Sequence, residues 1–161
     1  MPPARLDRAL IRLTGPDARG FLDNLLTQNL ALLEGARVIY AGLLTPQGKV
    51  IADMFLWAEP EGGVLIDADA SRGADLFRRL SMYKLRAAVA IEDVSSSRAA
   101  LVSDAPFDGA VADPRLPALG YRAISDNVDT PAANTPALRS KRIALGVPDL
   151  AEEAASEEVF A

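Results

Sequence analysis

Asp53 is the only charged side chain in Val50-Ile51-Ala52-Asp53-Met54-Phe55-Leu56-Trp57-Ala58, a stretch that otherwise has the composition of a buried strand. An ionised carboxylate in apolar surroundings is costly unless a partner meets it. The position therefore implies a strand end that touches water or a place that faces a ligand. In a dry pocket such a carboxylate accepts hydrogen bonds from a donor-rich ring edge and stabilises positive charge developing on a nitrogen. The plainer alternative is a strand aspartate satisfied by an arginine or a backbone N–H, and the residue alone does not separate the two. Tyr40 offers a flat face for stacking at low entropic cost, although a half-buried scaffold role suits a tyrosine equally well. Trp57, the only tryptophan, alternates onto one strand face with Ile51, Asp53 and Phe55 and reads as core. Arg72, Arg78, Arg79, Lys84 and Arg86 form a basic stretch that would suit a polyanion. Without interleaved aromatics it reads instead as a solvated helix face.

Several chemistries are excluded at once. The chain has no histidine and no cysteine, so it builds no Ser-His-Asp triad, Cys-His pair, disulfide or histidine metal site, and no metal centre is expected. Gly15 to Gly20 lacks the Gly-Lys-Ser/Thr of a phosphate loop. The net charge of −5 belongs to the end of the chain, where Asp149, Glu152, Glu153, Glu157 and Glu158 have no basic neighbour. Residues 1–146 hold 17 basic and 17 acidic side chains, so no overall field draws them to nucleic acid or a membrane surface.

The surrounding elements follow from pattern and punctuation. At 161 residues, half of them apolar and with a mean hydropathy of +0.12, the chain suffices for one domain with a genuine core. No apolar run approaches the ~20 residues that span a bilayer, and no charged-then-apolar leader is expected at the N-terminus. A soluble, cytoplasmic protein is the expectation. Arg8 to Thr14 reads as a strand. Gly15-Pro16-Asp17 then opens a helix, with Thr14 or Gly15 as cap, Pro16 at the first helical position and Phe21, Leu22, Leu25 and Leu26 on its apolar face. Val38 to Leu44 and Val50 to Ala58 are strands joined by the turn Thr45-Pro46-Gln47-Gly48. Val64 to Asp67 is a fourth strand. Ser71 caps a helix to about Lys84 that buries Ala74, Leu76, Phe77 and Leu80. Ala87 to Ile91, Ala99 to Ser103 and Gly120 to Ile124 are further strands, and Pro136 to Leu145 is a helix ending at Gly146. Hairpin-linked strands with helices between pairs predict an α+β domain with a mainly antiparallel sheet and two or three helices.

Three stretches carry a family resemblance. Asp7 to Gly15 with Pro16-Asp17-Ala18 and Phe21-Leu22 is similar to the opening of the glycine-cleavage T-protein (aminomethyltransferase) superfamily. Leu43-Leu44-Thr45-Pro46-Gln47-Gly48-Lys49-Val50-Ile51-Ala52-Asp53 looks like the hairpin that bears the folate-facing aspartate there. Leu80-Ser81-Met82-Tyr83-Lys84-Leu85-Arg86, followed by Val89 and Ile91, resembles a segment typical of the YgfZ-like branch, folate-binding proteins that assist iron–sulfur cluster assembly. Asp113-Pro114-Arg115 with Gly120-Tyr121-Arg122, and Arg142 to Pro148, also look like that branch.

The resemblance implies a folate-binding domain over residues 1–146, an acidic tail or the start of a further segment over 147–161, and tetrahydrofolate or a related reduced folate as ligand. It implies iron–sulfur client proteins as partners. Asp53 becomes the folate-contacting acid and the candidate catalytic residue. Tyr40, Leu65, Asp67, Asp69 and Arg8 fall on the positions that line the ligand, although Asp67 and Asp69 depart from the usual residues there and the Arg8 position is variable. A Lys-Gly-Cys-Tyr-x-Gly-Gln-Glu signature of that branch is absent, so the chain resembles the N-terminal part of a longer protein and by itself supplies binding rather than turnover. Two rival readings are an aminomethyltransferase that passes a one-carbon unit to tetrahydrofolate, and a non-catalytic interaction module with a vestigial pocket.

Overall fold

The computed structural model describes residues 2–148. From residue 149 onward, the acidic segment expected at 147–161 lies outside them. The first strands are β1 (Ala4–Leu6) and β2 (Arg8–Thr14), separated by Asp7 alone. Helix α1 (Ala18–Leu25) follows, then β3 (Val38–Leu44), β4 (Val50–Ala58) and β5 (Val64–Asp69). Helix α2 (Gly73–Tyr83) precedes β6 (Ala90–Asp93) and β7 (Ala99–Ser103). The chain continues through β8 (Val111–Ala112), β9 (Tyr121–Ser125) and helix α3 (Thr135–Ala144). Every strand pairing is antiparallel, in a five-stranded sheet ordered β3-β4-β5-β2-β6 and a four-stranded sheet ordered β1-β7-β9-β8. This is the α+β class expected from the sequence.

The alternation of the central strands divides their side chains between two cores. One face presents Ile11, Leu13, Met54, Leu56 and Ile66 to Leu22 of α1 and to Leu76 and Leu80 of α2. The other carries Leu10, Phe55, Trp57 and Leu65 and is covered by Ala100 of β7 with Ile124 of β9. Ile51 leaves the face expected for it and packs beside the first core, because the register slips between Leu43 and Leu44 directly opposite. Such a slip adds one residue to a strand and turns the side chains beyond it.

At three helix and strand starts a polar group has a task that the sequence pattern did not show, and the boundary differs from expectation. Helix α1 begins at Ala18 with Asp17 in the cap position, not Thr14 or Gly15. The Asp17 carboxylate accepts from the Ala88 N–H at 2.7 Å, while the Asp17 N–H donates to the Ala88 carbonyl at 3.3 Å. Ala88 is thereby committed outside the sheet, and β6 starts at Ala90 rather than Ala87. Before α2, a 3-10 turn over Ala70–Arg72 is capped by Asp69, whose carboxylate accepts from the Ser71 N–H, so Ser71 is not the cap. Ala74, expected on the buried side of α2, is exposed. Strand β1 was absent from the pattern-based reading.

Candidate functional site

Registers across the five-stranded sheet set Tyr40 opposite Phe55, Phe55 opposite Asp67, and Leu10 opposite Asp67. Alternation brings Asp53 and Trp57 to the same face as Phe55. Contacts then bring Tyr40, Asp53, Asp67 and Arg8 together around Phe55, with Asp69 two residues beyond Asp67 on β5 and opposite Arg8. Leu65 lies deeper, fully buried under Trp57 in the second core.

Asp67 is the fully buried acid. Arg8 donates from Nε to Asp67 Oδ1 at 2.6 Å and from Nη2 to the Asp67 carbonyl at 2.9 Å. The Trp57 indole N–H donates to Oδ2 at 3.2 Å. Burial pushes the Asp67 carboxyl up, but the charges of Arg8 and Arg122 and the hydrogen bonds from Arg8 and Trp57 outweigh it and hold the group below the ordinary carboxylate range. Burial likewise opposes the charge on Arg8, and Asp67 overcomes that, leaving the guanidinium raised. Asp69 is spent on Ser71 as a cap and stands at the cavity wall.

Asp53 has a different environment. It is half-buried, and its carboxylate accepts a hydrogen bond from the Tyr40 hydroxyl. The Tyr40 ring leans on Phe55 with centroids 5.3 Å apart. Phe55 in turn is surrounded by guanidinium groups: Arg122 lies 4.0 Å, Arg115 5.0 Å and Arg8 5.6 Å from its ring centre. Contacts of this kind gain most when desolvated.

A cavity of about 690 Å³ opens on Phe55, walled also by Arg8, Asp69, Asp113, Arg115, Arg122 and α3; of the predicted site residues only Arg8 and Asp69 line it, and Asp53, Tyr40, Leu65 and Asp67 do not. Asp113 and Arg115 occupy a closed loop: the Asp113 N–H donates to the Gly120 carbonyl at 2.9 Å, and Gly120 takes a φ of +111° where an added Cβ would lie 2.5 Å from the Ser103 carbonyl oxygen. Arg115 grips the buried Asp113 carboxylate through two N–H groups at 3.1 and 2.9 Å. Strand β9 then carries Arg122, which is 6 % exposed, into the wall. Its charge is opposed mainly by burial, and its pKa falls to about 10 even with Asp67 and Asp113 nearby. It stays protonated at neutral pH.

Sequence reasoning missed the Asp113, Arg115, Arg122 and α3 contributions to the site. The stretches Asp113-Pro114-Arg115 and Gly120-Tyr121-Arg122 were noted for their likeness to a family, and a buried arginine in a strand is itself a signal of a polar partner. Within the basic stretch, Arg78 and Arg79 pair with Asp75 of the same helix, Arg78 exposed and Arg79 part-buried. Among the described residues no cluster of acidic side chains has metal-holding geometry, and no helix is long and apolar enough to cross a membrane.

Comparison with known proteins places these features in context. The model of the GCVT N-terminal domain matches residues 8–106. The mitochondrial iron-sulfur cluster assembly factor IBA57 homolog of Neurospora crassa is 29% identical, covering 88% of this chain and 40% of that protein. The homolog of Pyricularia oryzae is 34% identical over 77% of this chain and 36% of its own. The human factor is 32% identical over 76% of this chain and 42% of its own. The chain thus spans about two fifths of the length of these relatives. The glycine cleavage system aminomethyltransferase T of Bartonella henselae shares the fold, with a TM-score of 0.56 at 18% identity, covering 91% of this chain and 32% of that one. The expected cytoplasmic location is overturned by these relatives, each of which is named as mitochondrial.

Proposed function

The chain belongs to the GCVT N-terminal domain family, and from that premise we propose that it binds a reduced folate and assists iron–sulfur cluster assembly. The observation that carries the assembly role is that relatives named as iron-sulfur cluster assembly factors align over three quarters or more of the chain at 29 to 34% identity. The likeness to the aminomethyltransferase lends support to the fold alone. In this reading the protein works in the compartment its relatives' names give, the mitochondrion, with iron–sulfur proteins as its clients. Residues 1–146 are the binding unit.

Two of the expected site residues, Arg8 and Asp69, support this reading by lining the cavity. A cavity of about 690 Å³ is of the size that takes a small molecule, and Phe55 forms an aromatic wall beside Tyr40. Asp53 then acts as acceptor for pterin N–H groups, with the Tyr40 hydroxyl holding the carboxylate in place. Asp67 serves a structural purpose: it neutralises Arg8 and keeps that side chain against the cavity wall. When bound, the reduced folate supplies nitrogen atoms able to carry a one-carbon unit.

Titration of the protein with tetrahydrofolate, wild type against Asp53→Asn, tests the ligand assignment. Loss of one charge-assisted hydrogen bond is expected to weaken binding by about tenfold or more. Equal binding by the two proteins, or none by either, overturns it. The assembly role is checked separately by restoring the activity of a cluster-containing enzyme in cells that lack the gene.

A further inference from the structure

We propose that the turn closing α2 is a docking surface for a partner protein that presents an apolar pocket rimmed by carboxylates. Leu85 stands at its tip and is 85% exposed. Met82 and Tyr83 precede it and are exposed as well. Ala74, Arg78 and Met82, all exposed, repeat at four-residue spacing and so form one stripe of α2 that runs to this turn. Helix α2 packs on the first core, whereas the cavity opens on Phe55 of the second. The two surfaces are therefore separate, and the inference does not depend on the folate reading.

The backbone holds Leu85 outward at a cost. Its φ is +40°, a left-handed conformation that glycine and asparagine tolerate and a bulky side chain does not favour. The turn is fixed by two hydrogen bonds: the Ala87 N–H donates to the Lys84 carbonyl at 2.7 Å, and Lys84 Nζ donates to the carbonyl of the buried Val89 at 3.3 Å. A strained apolar residue in a rigid turn is a preorganised anchor, which loses little freedom when a pocket encloses it. Charge specifies the rest of the partner. Arg78 and Arg86 are exposed and Lys84 is half-buried. Arg86 makes no hydrogen bond or ion pair among the described residues. Asp75, the one acid in α2, is already shared by Arg78 and Arg79. This positive rim calls for carboxylates opposite it. A bilayer takes up a leucine in any backbone conformation, so only a shaped protein pocket makes use of the strained turn.

The experiment replaces Ser81, exposed on the same helix, by the photo-reactive p-benzoyl-phenylalanine in the protein expressed in cells that lack the gene. The cross-linked peptide is then mapped by mass spectrometry. It is expected to come from one partner protein and to combine apolar residues with neighbouring Asp or Glu. Leu85→Asn and Arg86→Glu should each lower the cross-link yield about fivefold or more. The yield of Arg86→Glu should recover when an acid of the mapped peptide is changed to lysine. Leu85→Asn should also melt about 2 °C or more above wild type, since asparagine relieves the strain. Weaker docking with greater stability is a result that a merely structural turn does not give. Absence of a cross-linked partner, or unchanged yields in both variants, overturns the proposal, as does a lower melting temperature for Leu85→Asn. Cross-linking to lipid, with flotation on vesicles of phosphatidylcholine and cardiolipin, overturns it in favour of a membrane surface. Cross-linking between two copies of this chain overturns it in favour of self-association.

Discussion

The Asp67 carboxylate has given up water entirely and depends on Arg8, Trp57 and Arg122 for compensation. Its folded pKa lies below the free value of 3.8, so the unfolded chain binds the extra proton first as the solution is acidified. The stabilisation is therefore complete above about pH 5 and is lost as the pH falls through the free value towards the lower folded one. Asp67→Asn should cost about 3–5 kcal/mol at pH 7, because it strands two buried cations. It should also flatten the dependence of the urea midpoint on pH below 4. Denaturation at pH 7, 4 and 3 measures both, and an unaltered acid slope would refute the assignment. The Asp53 signal was legible because that residue interrupts an apolar run. Asp67 was harder to read: it follows Val64-Leu65-Ile66 like a residue at a strand end, whereas β5 continues to Asp69 and makes it internal. Arg122 could not have been linked to Asp67 at all, since only the folded sheets bring together residues so distant in the chain.

Among the elements, β2, β3, β4 and β7 start and end where the sequence indicates, because each apolar run is bounded by glycine, proline or charged residues that cannot continue it. The helix starts were less legible. Gly15-Pro16-Asp17 and Asp69-Ala70-Ser71 each offer several capping side chains, and the choice is made by tertiary contacts that no local pattern contains. Gly15 shows how tight the first of these junctions is. It has a φ of +111°, and an added Cβ would sit 2.4 Å from the Ala88 carbonyl oxygen. Gly15→Ala should therefore destabilise by about 3 kcal/mol, the sum of a left-handed backbone cost and a steric clash with rigid backbone. A thermal melt reads the loss. A variant as stable as wild type would mean that the α1–β6 junction yields readily.

At the scale of the molecule, the two sheets share the second core, and β1 is what ties the N-terminus to the smaller sheet. Arg5 pairs with Leu101 of β7, its N–H donates to the Pro131 carbonyl at 2.8 Å, and its own carbonyl accepts from the Ala133 N–H at 2.8 Å. This strand closes the edge of the four-stranded sheet and fastens the segment leading into α3. Deleting residues 1–6 should thus loosen β7, β9 and α3 while β3, β4 and β5 keep their pairing. Hydrogen exchange checks this: faster exchange confined to the smaller sheet is expected, and uniform exchange across both sheets would show that they open as one unit. Such a strand was invisible in advance because Ala-Arg-Leu is too short for a pattern and acquires meaning only through β7.

The single residue Asp7 between β1 and β2 also imposes an order of events during synthesis. Arg8 to Thr14 finds its partner in Val64 to Asp69 once a modest length of chain has left the ribosome. Ala4 to Leu6 emerges earlier still, but its partners Ala100 to Val102 follow roughly a hundred residues later, at a correspondingly greater closure cost. The earlier of these two segments is accordingly the later one secured. Until then the nascent chain trails an unpaired strand next to a finished one, a vulnerable interval in which a chaperone or a neighbouring chain could engage it.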